Sequence, residues 1–144
     1  MILGIDHVGL VTAVPEQVGV QLRTLGLDLA HSGKAEAYGV HCEFWSSPGV
    51  PDGTAIEVVS PSGPGSAVDS LLRRDGPGLY HVAFAVDHLK PEADRLRKGG
   101  FIALDPEARE GARPGMKVMF MYMPEPADIL IELVHYAGTT RRKA

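Results

Sequence analysis

Gly78-Leu79-Tyr80-His81-Val82-Ala83-Phe84 repeats, 74 residues on, the stretch Gly4-Ile5-Asp6-His7-Val8-Gly9-Leu10. The two histidines are in register, with small or apolar residues around both. At the same offset Leu22-Arg23 returns as Leu96-Arg97 and Gly26 as Gly100; Ile56-Glu57-Val58-Val59 returns one residue later as Ile131-Glu132-Leu133-Val134. Matches in one order at offsets of 74 and 75 indicate internal duplication rather than chance. Each half then carries a His early and a Glu late, 50 residues apart in the first and 51 in the second. A half of about 70 residues buries too little surface to hold a good core alone, whereas two packed halves bury enough.

The 144 residues therefore read as a single domain of two modules, residues 1–61 and 77–137, with a linker helix in 62–76 and a tail at 138–144. The net charge of −4 and the absence of a basic stripe, apart from Arg141-Arg142-Lys143 in a solvated tail, exclude the phosphate neutralisation that nucleic-acid binding needs. The lone Cys42 rules out an internal disulfide and a cysteine cage, which fits a reducing cytoplasm. No leader is expected before the first strand, and no apolar run is long enough to span a membrane.

Residues 2–12 alternate as a strand with Ile5, His7, Gly9 and Val11 on one face. Pro15-Glu16 opens a helix that Gly26 ends, with Val18, Leu22 and Leu25 as its apolar stripe. A strand from Leu27 is expected to turn in the polar stretch 31–36. The strand 38–45 then places His41, Glu43 and Trp45 on one face and Cys42 and Phe44 on the other. A loop rich in Pro and Gly precedes the strand 54–60, where Ala55, Glu57 and Val59 share a face. Ser66 is expected to cap a linker helix over 66–74. The second half repeats the pattern with strand 79–86, helix 91–98, strand 101–104, a charged loop 105–115 and strands 116–123 and 129–136. Each half reads as β-α-β-β-β.

Duplicated positions meet about a pseudo-twofold axis, so His7, Glu57, His81 and Glu132 are expected to face one centre. A carboxylate inside an apolar strand is costly unless something pairs with it. Two imidazoles and two carboxylates suit a divalent ion of intermediate hardness, Co, Ni, Mn, Fe or Zn. On a six-coordinate ion they leave two positions for water or substrate oxygens, the mark of a catalytic site. Glu43 has no carboxylate counterpart, since 74 residues on stands Lys117. It reads either as a surface-facing strand residue or as a general base beside the metal. Arg109, Arg113 and Lys117 read as an anion-binding edge or a solvated loop. The run Met116, Met119, Met121, Met123 reads as packing, with alternate members available to line a pocket.

With these residues in view, the chain from 2 to 136 resembles the vicinal oxygen chelate superfamily of glyoxalase I, extradiol dioxygenases, bleomycin resistance proteins and related isomerases. The resemblance implies an α+β fold in which two βαβββ modules form an open mixed β-barrel around a divalent metal, within a homodimer. It carries the metal positions over as His7, Glu57, His81 and Glu132. Gly78 to Phe84, Ile56 to Pro61 and Ile129 to Leu133 are similar to segments of the methylmalonyl-CoA epimerase family, and Val40 to Pro48 is similar to the segment in which those enzymes carry a catalytic Glu. That likeness implies proton removal beside a thioester carbonyl, Glu43 as the base, Glu132 serving the opposite face and no organic cofactor. Glu57 stands where those epimerases often have Gln. The epimerases' usual His-Pro-Lys turn and the aromatic pair of their first helix are missing. The expected partner is a small molecule, an acyl-CoA thioester or another carbonyl compound. The alternatives are a glyoxalase-like lyase or secondary-metabolite biosynthetic metalloenzyme, and a metal-free antibiotic-binding resistance protein.

Overall fold

Strand β1, Ile2–Val11, is the hinge of the architecture because it pairs on both sides. It runs parallel to β4, Ala55–Pro61, and antiparallel to β5, Gly78–Val86. In the second half β5 plays the same part, pairing in parallel with β9, Ile129–Tyr136. The computed structural model describes residues 1–138, so the tail at 139–144, including Arg141 to Lys143, lies outside the described residues. Around the central pair the first half adds α1 (Pro15–Thr24), β2 (Asp28–Ala35) and β3 (Val40–Ser46). After α2 (Asp69–Asp75) and β5, the second half adds α3 (Leu89–Lys98), β6 (Ile102–Ala103), β7 (Arg109–Glu110) and β8 (Met116–Met123). The strands form one sheet in the order β2-β3-β4-β1-β5-β9-β8-β6, with β7 beside β8. Its inner face carries Val11, Cys42, Phe44, Val59, Val118 and Val134, which pack into one core. The expected α+β fold is observed: the first half is β-α-β-β-β, and the second adds the two-residue β7 to that order, within the stretch 105–115 that reads as a loop in the sequence.

Helix α1 covers the outer face of the first half, where Leu22, Trp45 and Val58 pack together. Helix α3 covers the second half over Met119, Met121, Ile131 and Leu133. The methionines thus divide by the pleat, with Met116 inside among the core residues and Met119 and Met121 outside under the helix.

Three local expectations are revised. The polar stretch 31–36 is not a turn: β2 continues to Ala35 because its edge position lets Ser32 and Lys34 face away from the core, and the reversal falls at Glu36–Tyr38. Ser66 does not cap α2, which starts at Asp69. Its hydroxyl instead accepts from the Val68 N–H at 3.4 Å, closing a turn ahead of the helix. Leu25 lies past the end of α1 and is exposed, leaving Val18 and Leu22 as the stripe.

The two open edges of the sheet are brought together by a loop from the second half. Residues 111–115 leave β7 and reach β2, where His31 Nε2 donates to the Ala112 carbonyl oxygen at 3.1 Å. Gly33 allows the approach, since a Cβ there would overlap that oxygen. Among the described residues no helix is long and apolar enough to cross a membrane.

Candidate metal centre

The register of the central strands decides where the chemistry sits. Gly9 of β1 lies between Glu57 on β4 and His81 on β5, while Ala83 of β5 lies between His7 on β1 and Glu132 on β9. Two rows of three thus cross the sheet, each with a small residue in the middle and two ligand types at its ends. The pleat turns all four polar side chains to the inner face. Gly9 is required for it: a Cβ there would stand 2.6 Å from His81 Nδ1 and 2.9 Å from its Nε2.

The four groups converge. His7 Nε2 lies 3.1 Å from His81 Nε2, 3.0 Å from Glu132 Oε1 and 3.5 Å from Glu57 Oε1. His81 Nε2 lies 3.4 Å from Glu57 Oε1 and 3.8 Å from Glu132 Oε1. The ligand atoms of His7, His81 and Glu132 all lie within 4.8 Å of one another, and Glu57 Oε1 lies within 3.5 Å of both imidazole Nε2 atoms. All four residues are buried. Around an ion with bonds of about 2.1 Å, neighbouring ligands stand about 3.0 Å apart in octahedral and about 3.4 Å apart in tetrahedral geometry. The observed spacing fits such an ion. So does the bonding pattern, because Glu132 Oε1 is buried without a hydrogen-bond partner of good geometry.

Charge follows the same logic. Burial opposes protonation of His7, but the Glu57 carboxylate, the Asp6 hydrogen bond and Glu132 outweigh it and push the imidazole up to about 10. Burial likewise works to raise Glu57 and Asp6, yet the neighbouring His7 holds both below the ordinary carboxylate range. Without an ion the site thus keeps a proton on His7, where a cation would otherwise stand.

Above the quartet lies a narrow, mostly apolar cavity of about 30 Å³, lined by Tyr38, Cys42, Tyr80, Val118 and Phe120 with Glu57, His81 and Glu132. Glu43 is not part of it. On β3 the alternation that points Cys42 and Phe44 inward turns Glu43 outward with Trp45, opposite Val58 and the α1 side. Its Oε1 is buried there without a hydrogen-bond partner. A base beside the histidines is therefore not what this geometry makes of Glu43, and the wall position belongs to the neighbouring Cys42. Nor do Arg109, Arg113 and Lys117 form an anion-binding edge: Arg109 pairs with Asp105, Lys117 with Glu110, and Arg113 is buried.

The sequence reading missed the groups behind His7. Its Nδ1–H donates to Asp6 Oδ2 at 2.7 Å, and the Tyr136 hydroxyl donates to the same oxygen at 3.0 Å. The only signal was Asp6 itself, adjacent to His7, where the second half has Tyr80.

A family model for the glyoxalase/bleomycin resistance protein/dioxygenase superfamily matches residues 6–120. The chain belongs to this superfamily. An ethylmalonyl-CoA/methylmalonyl-CoA epimerase of Cereibacter sphaeroides is 29% identical over 136 residues, 92% of this chain and 98% of its own. The crystal structure of methylmalonyl-CoA epimerase from Mycobacterium tuberculosis superposes with a TM-score of 0.82 at 27% identity, covering 94% of this chain and 89% of that one. A methylmalonyl-CoA epimerase in complex with methylmalonyl-CoA and NH4+ superposes with a TM-score of 0.83 at 26% identity, over 96% and 97% of the two chains. Within the superfamily, then, epimerases of coenzyme A thioesters are among the proteins this chain resembles over nearly its whole length.

Proposed function

We propose that this superfamily member is a divalent-metal-dependent isomerase that removes the acidic proton beside a thioester carbonyl, on a methylmalonyl-type coenzyme A substrate. The observation that carries the reading is the buried quartet of His7, Glu57, His81 and Glu132 at one side of an apolar cavity. Its likeness to epimerases acting on such thioesters supports the substrate class. His7, His81, Glu57 and Glu132 would hold the ion, and a bound ion supplies Lewis acidity that stabilises negative charge on the substrate carbonyl. Glu132 is the proposed proton acceptor, because it lines the cavity and is already buried beside His7. The apolar wall of Val118 and Phe120 excludes water and strengthens the electrostatic interactions within. A homodimer is part of this proposal, tested by light scattering in solution.

The deciding experiment follows deuterium uptake at C2 of methylmalonyl-CoA in heavy water, with protein loaded in turn with Co, Ni, Mn and Zn. Metal-dependent exchange, absent in Glu132→Gln, supports the reading. A metal-loaded protein that leaves this proton in place excludes the substrate. One observation favours a second reading: the cavity wall of β3 presents Cys42 rather than a carboxylate. A glyoxalase-like lyase needs proton transfer without inversion by a second carboxylate, and turnover of a hemithioacetal without exchange on the malonyl thioester would select it.

A further inference from the structure

The two histidines occupy duplicated positions but are held differently. His81 is preceded by Tyr80, whose ring meets it edge-on at 4.9 Å, and its Nδ1 is buried with no hydrogen-bond partner. His7 is preceded by Asp6, which accepts from Nδ1 at 2.7 Å. Behind Asp6 stand two further groups. Tyr136, at the end of β9, donates to Oδ2 at 3.0 Å. Arg113 donates from Nη1 to the Tyr136 hydroxyl at 2.9 Å, and the same nitrogen lies 3.5 Å from Asp6 Oδ2. Asp6, His7, His81, Arg113 and Tyr136 are all buried.

Arg113 comes from the loop that closes the sheet onto β2. That loop is pinned at both ends. Gly111 donates to the Met116 carbonyl at 2.9 Å, Met116 donates back to the Arg113 carbonyl at 3.1 Å, and Ala137 donates to the Gly115 carbonyl at 2.9 Å. Its guanidinium lies over the Phe44 ring, 3.7 Å from the centroid, while Nε and Nη2 are buried without partners. Leaving two donors unsatisfied in the interior is costly. Of the three guanidinium nitrogens Nη1 alone has hydrogen-bonding partners, and it is the atom that reaches Tyr136 and Asp6.

We infer that Arg113 is a positioning residue for the metal centre: through Tyr136 and Asp6 it fixes His7 with Nδ1–H turned to the carboxylate and Nε2 turned to the ion. A carboxylate that accepts from the far nitrogen of a ligating imidazole sets its tautomer and ring angle and raises its basicity. The asymmetry between the halves supplies an internal control, since His81 has no such support. His7 is then the fixed ligand, and the loop that closes the barrel is the element that fixes it. The inference rests on the quartet being a metal site.

The test uses the full-length protein and cobalt. Co2+ affinity is measured by competition with a chelator, and the visible absorption of the Co2+ form is recorded. The wild type is compared with Arg113→Met, Arg113→Lys and Tyr136→Phe. Zinc-loaded protein carrying 15N-histidine reports the His7 Nδ1–H resonance and its exchange with solvent. Arg113→Met is expected to weaken Co2+ binding about 10-fold or more, in the range seen when outer partners of ligating histidines are lost. It should also alter the cobalt spectrum and speed exchange of the His7 proton while leaving the His81 signals in place. Arg113→Lys should recover part of the affinity, and Tyr136→Phe, which removes a single hydroxyl and keeps the core, should show the same changes in smaller measure. Unchanged or tighter binding with an unchanged spectrum, in variants whose only defect is a lower melting temperature, overturns the inference and leaves Arg113 a buried structural ion pair. If the wild type itself takes up no cobalt, nickel, manganese or zinc, the metal reading fails, and this inference with it.

Discussion

Glu132 and Glu43 are both carboxylates within strands, and the pleat separates their fates. Glu132 faces His7 across 3.0 Å, whereas Glu43 points to the α1 side with a buried oxygen that nothing satisfies. Replacing Glu43 by Gln adds a donor in the place of an unpartnered oxygen. It is expected to leave proton exchange within about twofold of wild type, because Glu43 lies outside the cavity, and to keep or raise the melting temperature, since a neutral amide costs less to bury than a carboxylate. Loss of exchange in Glu43→Gln with metal still bound would return the base to Glu43. Glu132→Gln is expected to lower Co2+ affinity by more than about 100-fold, beyond the cost of losing an outer partner. His7 adds a prediction in pH. Its imidazole is raised from its ordinary value to about 10, so in the metal-free protein it contributes stability that is complete below about 6.5 and is lost as pH rises through about 10. A bound ion takes the place of that proton. Melting temperatures measured from pH 6.5 to 10 should therefore fall for metal-free protein by more than for the loaded form, and metal uptake at pH 8 should release a proton. At this scale the quartet was legible because duplication marked it, but Arg113 was not. Nothing in its spacing tells a loop arginine at the surface from one that turns inward beneath Tyr136.

Strand register turns those residues into a site. The offset of 74 places His7 and His81 at equivalent points, and the antiparallel β1–β5 pair sets each opposite a small residue of the other strand, Ala83 and Gly9. Gly9→Ala tests that reading at the level of the strand pair. The new Cβ would meet ring atoms of His81 at 2.6 Å and 2.9 Å, and neither the strand backbone nor the buried ring has room to give. The expected result is a folded protein, destabilised by about 1–3 kcal/mol, that has lost metal binding. Retained affinity would mean that His81 moves freely and is no fixed ligand. Ala83→Gly, the reverse change on the partner strand, should leave binding intact at a cost of about 1 kcal/mol. The long strands were readable from alternation alone, as β8 and β9 show. The errors fell where a neighbour decides. Ser32 and Lys34 sit in a strand because β2 is an edge, and α2 begins at Asp69 because Ser66 is spent on the turn before it.

Across the whole molecule, the candidate centre is also the place where the two halves meet. Each half supplies one His and one Glu, so an ion there would cross-link segments separated by half the chain. Charge explains why the link suits a dication. Asp6, Glu57 and Glu132 bring three negative charges into the interior, and Arg113 answers one of them. A doubly charged ion bound by neutral imidazoles cancels the rest, whereas the metal-free protein answers part of it with the His7 proton. The duplication announced this shared centre before any geometry was known; the closing loop did not announce itself, because its contact with β2 depends on a backbone oxygen lying against Gly33. Metal should therefore stabilise the protein by mass action. At a free concentration about 100 times the dissociation constant the gain is about 2.7 kcal/mol, which for a chain of this size raises the melting temperature by about 5–10 °C. Stripping the ion with a chelator should remove that increment, and adding back Co2+, Zn2+ or Ni2+ should restore it in wild type but not in His7→Ala or His81→Ala. Equal recovery in either variant would mean that the ion binds elsewhere, and the two rows across β1 and β5 would then be a packing arrangement without a metal.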